Sequence, residues 1–300
     1  MIDKIAPLTV VDFRVYVYNI LHHYQAIDKN YGKKTQQAWL KAAWALHLNR
    51  GFTDLPYFEQ TVVVVDDHNP YWRTKYLEDR GFPPYKDGRK QKGDDWYKVA
   101  EAGKKYILDA KCPFHYLSFP GYEADDVAAA LVRVRAPRLI ILSTVDSDWS
   151  GLVLDSDQYR ATNRFEFIKE EYGVEPTVWW VNHAHWTPRF RDEAGVRAWT
   201  KKRCRIDIDR PWELWEHKAE EGDKSDNLPP GSPIEVIDLL NPPEEHDILL
   251  DKTLSCQVEE VAHSYAANSS KSHILKAQKW FRANGFRIPV VDWNNYLLDR

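Results

Sequence analysis

Three short apolar runs each lead into an aspartate: Leu8-Thr9-Val10-Val11 into Asp12, Val62 to Val65 into Asp66, and Leu139-Ile140-Ile141-Leu142 shortly before Asp146. Continuous apolar runs of this length, without alternation, read as strands covered on both faces, as in a parallel sheet. Between them the apolar positions change period. Trp39, Leu40, Ala43, Trp44 and His47 recur at helical spacing within Gln36 to Leu48, which predicts a helix with one face toward a core. Alternating strand and helix implies an α/β domain with a mainly parallel sheet. Ligands of such sheets bind beyond the carboxyl ends of the strands, so aspartates that end separate strands are expected to meet at one site.

From Asp157 onward the pattern weakens, and the stretch from Trp179 to Trp215, rich in tryptophan and charge, reads as an insertion. Its Trp179, Trp180, Trp186 and Trp199 are expected to pack against protein in preference to stacking on bases. Past Asp226 a proline-rich break (Pro229, Pro230, Pro233, Pro242, Pro243) leads into helical patterns near Leu254 to Ala267 and His273 to Asn284. These imply a small C-terminal helical region.

Composition narrows the picture. The 300 residues are 43% hydrophobic, enough to bury a full core. No apolar run approaches the ~18 to 20 residues of a membrane span, and Met1 to Val10 carries Asp3 and Lys4 where a signal peptide would be uninterrupted. A soluble, cytoplasmic protein is expected. The three cysteines, Cys112, Cys204 and Cys256, lack the spacing of a zinc site or a disulfide framework and read as reduced core thiols. A net charge of −4 excludes a generic polyanion binder, so any nucleic-acid contact must be local. One local patch qualifies: between Trp72 and Lys111 eleven Lys and Arg stand against seven Asp and Glu, interleaved with Tyr76, Tyr85, Trp96, Tyr97 and Tyr106.

The acids carry the chemistry. Gly121-Tyr122-Glu123-Ala124-Asp125-Asp126 precedes the apolar stripe Val127 to Leu131, the start of a helix. One acidic residue in a first turn is explained by the helix dipole, worth ~0.3 to 1 kcal/mol. Three within four residues exceed that need, because carboxylates about 4 Å apart repel by ~1 kcal/mol even in water. A bound cation removes the penalty. Asp146 and Asp148 flank Ser147, and alternate residues of an extended segment point the same way. Gly222-Asp223-Lys224-Ser225-Asp226-Asn227 adds a third acidic pair, for which a helix N-cap at Ser225 or Asp226 is the plainer explanation. Oxygen-only ligands suit Mg²⁺ or Mn²⁺, not zinc. Two such ions can activate a water and stabilise a leaving oxygen. Basic residues must then bring a polyanion to an acidic site. Arg73, Lys75, Lys86, Arg89, Lys90 and Lys92 lie in the patch that follows the second run, where each could equally face solvent.

The order of these motifs resembles the 5′ nuclease superfamily: the 5′→3′ exonuclease domain of bacterial DNA polymerase I, the flap endonucleases and, above all, the phage RNase H branch. The matching segments are Val-Val-Asp12, Val-Val-Val-Asp66 with Trp72-Arg73, Tyr85-Lys86-Asp87-Gly88-Arg89, Gly121 to Asp126, Asp146-Ser147-Asp148, and Gly222 to Asn227. The resemblance implies a PIN-like three-layer domain over residues 1–220, with a helical arch at about 82–105 and a C-terminal helical DNA-binding region over 221–300. It also implies two ions, Mg²⁺ or Mn²⁺, the first held by Asp12, Asp66, Glu123, Asp125 and Asp126 and the second by Asp146, Asp148, Asp223 and Asp226. Asp66 is taken over Asp67 because it stands at the strand end. By the same resemblance Lys86 and Arg89 contact the scissile phosphate and the 5′ strand. After Asn227 many relatives carry a glycine-rich helix-hairpin-helix, whereas here Leu228-Pro229-Pro230-Gly231-Ser232-Pro233 lacks those glycines, so a divergent hairpin is expected.

The function so implied is metal-dependent trimming of 5′ ends, flaps and RNA primers in replication. The substrates would be branched or 5′-ended DNA and RNA–DNA hybrid, and the enzyme a monomer that works with replication proteins such as a single-strand-binding protein or a clamp. For a virus-borne gene the place of action would be the host cytoplasm. Alternatives are a PIN-like endoribonuclease and a catalytically silent nucleic-acid-binding relative. A nucleotide-sugar transferase built on Asp146 and Asp148 leaves the other seven acids unexplained.

Overall fold

The structure, a computed structural model, describes residues 8–28, 31–53, 60–67, 70–89, 92–109, 114–135, 140–144, 146–153, 178–182, 188–190, 193–263 and 270–289. Its centre is a six-stranded sheet of β1 (Leu8–Asp12), β2 (Gln60–Val64), β3 (His115–Leu117), β4 (Ile140–Thr144), β5 (Val178–Asn182) and β6 (Pro188–Phe190), in the order β3-β2-β1-β4-β5-β6. All pairings are parallel except β5 with β6. The three apolar runs are therefore β1, β2 and β4, side by side at the middle. The chain leaves β1 toward β2 on one side and β4 on the other, and this change of direction opens a crevice at the carboxyl ends. The stretch read as an insertion supplies β5 and β6 instead: Trp179 pairs with Ile141 of β4.

Strand residues alternate between two cores, as the pleat requires. Val10, Val62, Val64, Ile140 and Leu142 face one layer, where α5 (Ala124–Arg135) brings Val127, Ala128, Ala129, Ala130 and Leu131. Val11 and Val63 face the other, built from α1 (Phe13–Asp28), α2 (Lys33–Thr53) and α4 (Asp94–Leu108). Phe13 of α1 stacks on Trp44 of α2 with ring centroids 5.0 Å apart. Gly103 of α4 is obligatory there, since a Cβ would lie 2.3 Å from the Trp44 ring. Within the segment expected as an arch, residues 82–89 form turns and α4 lies along α1 and α2 with Val99, Tyr106 and Ile107 buried. The short α3 (Trp72–Glu78) joins the first layer.

Past β6 the chain forms α6 (Glu193–Arg203), α7 (Glu213–Glu221), a run of turns and 3₁₀ segments, α8 (Lys252–His263) and α9 (Ser270–Ala283). The expected boundary at 220/221 does not separate two cores. Val258 of α8 packs in the layer of α5, whereas Phe281 of α9 packs against Trp39 of α2 at 6.1 Å. These two helices thus sit in the cores of opposite faces. Cys204 and Cys256 are exposed, contrary to the reading as core thiols, and Cys112 lies outside the described residues. Among the described residues no helix is long and apolar enough to cross a membrane.

Candidate active site

Asp12 is the last residue of β1 and caps the helix that follows it. Its Oδ1 accepts the Arg14 N–H at 2.9 Å, one of the orphan donors of a first turn. Its Oδ2 accepts the Thr144 hydroxyl of the neighbouring β4 at 2.8 Å. Asp66, two residues past β2, accepts the Ala124 N–H at 2.9 Å and so caps α5 from a different strand. Asp67 accepts the Gly121 N–H at 3.0 Å. Asp146, two residues past β4, accepts the Asp148 N–H at 3.2 Å. All three strand-end aspartates thus meet above β1, β2 and β4.

The first turn of α5 divides its acids by task. Glu123 is buried between the Arg73 guanidinium, 3.3 Å from its Oε2, and the Lys86 ammonium on its Oε1. Burial would raise its pKa, but Lys86 and Arg73 outweigh burial and hold it at about 2. Asp125 accepts the Trp149 indole N–H at 2.6 Å, and burial followed by the charges of Asp146 and Glu123 pushes its pKa well up. Asp126 takes a forked pair of bonds from Arg73, 2.6 and 2.7 Å long, and accepts the Glu123 N–H at 2.9 Å. That is the reciprocal half of a capping box.

A second group gathers Asp148, Asp223 and Asp226, one oxygen from each lying within 4.8 Å of the others. Lys218, in the last turn of α7, bridges Asp148 and Asp223 and lies 2.6 Å from Asp223 Oδ2. The loop carrying the two later acids has tight geometry. Gly222 has φ +85°, and a Cβ there would meet the Leu228 carbonyl at 2.7 Å. Asp223 accepts the backbone N–H and the hydroxyl of Ser225, while Asn227 adopts φ +60°, a region that Asn tolerates. No helix begins at Ser225 or Asp226.

This loop is clamped to the basic turn at 85–89. The Tyr85 hydroxyl donates to Asp226 at 2.9 Å, the Lys86 N–H to the Asp226 carbonyl at 2.9 Å, and the Arg89 guanidinium to the Ser225 carbonyl and the Asp226 carboxylate. Asn227 returns a bond to the Pro84 carbonyl at 3.1 Å. A cavity of about 20 Å³, lined among others by Asp125, Asp148, Asp223 and Asp226, has room for about one water-sized particle.

Nine carboxylates meet five cations here, Arg14, Arg73, Lys86, Arg89 and Lys218, which leaves four negative charges over. The excess appears as strained acids: burial, with help from neighbouring carboxylates, raises Asp12 and Asp148 to about 6. Oxygen donors, surplus negative charge and a cavity of ionic size together fit a hard divalent cation.

The model of the 5′-3′ exonuclease N-terminal resolvase-like domain matches residues 7–177, more than half of the chain. The chain belongs to the 5′-3′ exonuclease family. That membership makes it a phosphodiester hydrolase with the PIN-like fold of 5′ nucleases. Among solved structures the fold is similar to a phage T5 protein co-crystallised with metal ions, at 13% identity and TM-score 0.48 over 98% of this chain and 91% of that one. It is also similar to T5 5′-exonuclease with zinc, at 14% identity and TM-score 0.47 over 91% and 89%. A third is a T5 flap endonuclease complex with DNA and metal ions, at 17% and 0.45 over 98% and 91%. No curated protein sequence matches the chain.

In this family member the expected basic contacts divide. Lys75, Arg89 and Lys92 are exposed, Lys86 is drawn in against Glu123, and Lys90 lies outside the described residues. Arg73 is a correction: it is 3% exposed, bound to Asp126 and Glu123, and donates to the Val236 carbonyl at 2.6 Å, so no phosphate can reach it. Asp126, with both oxygens on that guanidinium, serves as its anchor. Sequence reasoning missed Arg14 and Lys218. The signals available were a cation two residues after Asp12 and another five before Asp223.

Proposed function

We propose that the chain is a divalent-metal-dependent 5′ nuclease that removes 5′ flaps, 5′ ends and RNA primers from DNA. The observation that carries this reading is the convergence of nine carboxylates, from residues 12 to 226, with four negative charges unmatched. Two divalent ions, Mg²⁺ or Mn²⁺, would balance that charge. When bound they supply an activated water and offset the charge that develops on the phosphate and the leaving oxygen.

Asp12, Asp66, Asp125 and Glu123 would hold one ion. Asp148, Asp223 and Asp226 would hold the other, with Asp146 between the groups. Asp126 keeps Arg73, and through it Glu123, in place. Arg89 stands with its side chain 42% exposed at the rim, so it is free on one side to meet the phosphate backbone while its other side holds Asp226. Lys92, exposed before α4, extends the same basic edge toward a 5′ strand led along residues 82–105.

The test uses 5′-flap, nicked-duplex and RNA-primed substrates, with Mg²⁺ or EDTA, and compares wild type with Asp146→Asn. Cleavage confined to 5′ ends and junctions, abolished by EDTA and by the variant, is expected. Cutting at internal sites of plain single-stranded RNA would instead identify an endoribonuclease.

A further inference from the structure

Arg14 occupies an unfavourable place. It is the second residue of α1, where the helix dipole disfavours a cation. A local rule broken at a functional site points to a compensating role. The compensation is visible: one guanidinium nitrogen lies 3.4 Å from Asp66 and another 3.1 Å from Asp146, and its own backbone N–H holds Asp12. These are the aspartates that end or follow β2, β4 and β1, so a single side chain spans the mouth of the crevice. Moreover, the only acids among the described residues whose oxygens converge closely enough to share an ion are Asp148, Asp223 and Asp226. Asp12, Asp66 and Asp146 are arranged around Arg14 instead.

We propose that Arg14 is a built-in counter-cation of the first carboxylate group, a positioning residue that keeps Asp66 and Asp146 aligned until a divalent ion displaces it. The idea rests on the metal-dependent nuclease reading and adds a consequence to it. The two ion places are unequal. Lys218 bridges Asp148 and Asp223, but the oxygens of Asp148, Asp223 and Asp226 already lie within 4.8 Å of one another, so that group fills first. The group around Arg14 fills at higher ion concentration, because its ion must both move the guanidinium aside and draw the acids together. Two carboxylates that would otherwise repel are held ready for the ion in the meantime.

Removing the charge should tighten the weaker class of sites by at least about tenfold, since a unit charge some 4 Å from the ligands opposes a dication appreciably even at the dielectric of water. Mn²⁺ binding to the full chain, followed by the paramagnetic resonance of free Mn²⁺, compares wild type, Arg14→Met and Arg14→Lys. Expected are two classes of sites in wild type, tightening of the weaker class in Arg14→Met, and wild-type affinities in Arg14→Lys. Equal affinities in Arg14→Met and wild type overturn the proposal and leave the nuclease reading intact, whereas absence of any Mn²⁺ binding by wild type overturns both. Weaker binding of a 5′-flap DNA in EDTA by Arg14→Met, with Mn²⁺ affinity unchanged, would make Arg14 a substrate contact and also overturn it. If Arg14→Met does not fold without metal, Mn²⁺ must restore its far-ultraviolet circular dichroism, and failure to do so counts against the proposal.

Discussion

Asp12→Asn should make the metal-free protein more stable while it destroys activity. Asp12 is 2% exposed, and burial, opposed by Arg14 and aided by Asp66 and Asp146, raises its pKa from 3.8 to about 6. Between those values the folded state binds more protons than the unfolded one, so stability falls as pH rises through the window. Above about pH 6 the loss is complete. Two pKa units correspond to ~3 kcal/mol. Asparagine keeps the cap, because its carbonyl oxygen accepts the Arg14 N–H in place of Oδ1 and its amide can face the Thr144 oxygen. Urea unfolding in EDTA at pH 8 should therefore show Asp12→Asn more stable than wild type by ~2 to 3 kcal/mol, with the gap shrinking toward pH 5. Mg²⁺ should stabilise wild type more than the variant and close the gap from the other side. A variant less stable than wild type at pH 8 in EDTA would refute the view that Asp12 carries uncompensated charge.

Other substitutions test separate parts of the site. Glu123 has the opposite sign: its pKa of about 2 makes its contribution present above about pH 4.5 and lost as pH falls toward 2, and Glu123→Gln should cost ~3 kcal/mol at pH 7 in urea unfolding. Arg73→Lys, which loses the forked geometry, should lower stability by ~2 to 4 kcal/mol yet leave DNA affinity unchanged by fluorescence anisotropy, whereas a drop in affinity without a drop in stability would restore Arg73 as a nucleic-acid contact. Arg89→Ala should reduce the slope of log affinity against log salt by about one phosphate contact, measured in Ca²⁺ or EDTA. Gly222→Ala should destabilise by ~1 to 3 kcal/mol and weaken Mn²⁺ binding, because a Cβ at φ +85° pushes on the Leu228 carbonyl and shifts Asp223.

The parts of the molecule legible in its sequence are those with a local physical cause. A buried parallel strand must be apolar throughout, so β1, β2 and β4 announce themselves, and a carboxylate directly after such a strand has few structural reasons to be there. Glu123, Asp125 and Asp126 were visible for the complementary reason that three acids exceed what a helix start needs. β3 has three residues and β5 sits in a stretch dominated by tryptophan, too short or too atypical to read. The docking of α9 on α2 depends on contacts more than two hundred residues apart. Arg73 misled because one pattern, a cation beside an aromatic, serves two purposes. Its guanidinium lies 4.6 Å from the Trp72 ring inside the protein, where the same chemistry would stack on a base outside it.

The cations of the site explain why so acidic a centre can fold at all. Arg73 and Asp126 form a closed pair, bidentate and buried, that no ion need disturb; the pair fixes the start of α5 and thereby the direction of Glu123 and Asp125. Lys86 and Arg89 arrive on one turn and neutralise one acid from each group, and the Lys86 N–H and the Arg89 guanidinium, bound to the carbonyls of Asp226 and Ser225, join motifs far apart in sequence. Arg14 and Lys218 differ from these, since each spans two carboxylates and has none for its sole use. A cation shared between two acids gives each of them half a partner. Sharing alone does not set the outcome: burial raises the pKa values of Asp12, Asp125 and Asp148, whereas Asp223, which shares Lys218 with Asp148 and also accepts two bonds from Ser225, is held low. The raised acids thus lie where the proposed ions would sit, and the remainder of the cluster is held by pairs such as Arg73 with Asp126 that need no metal.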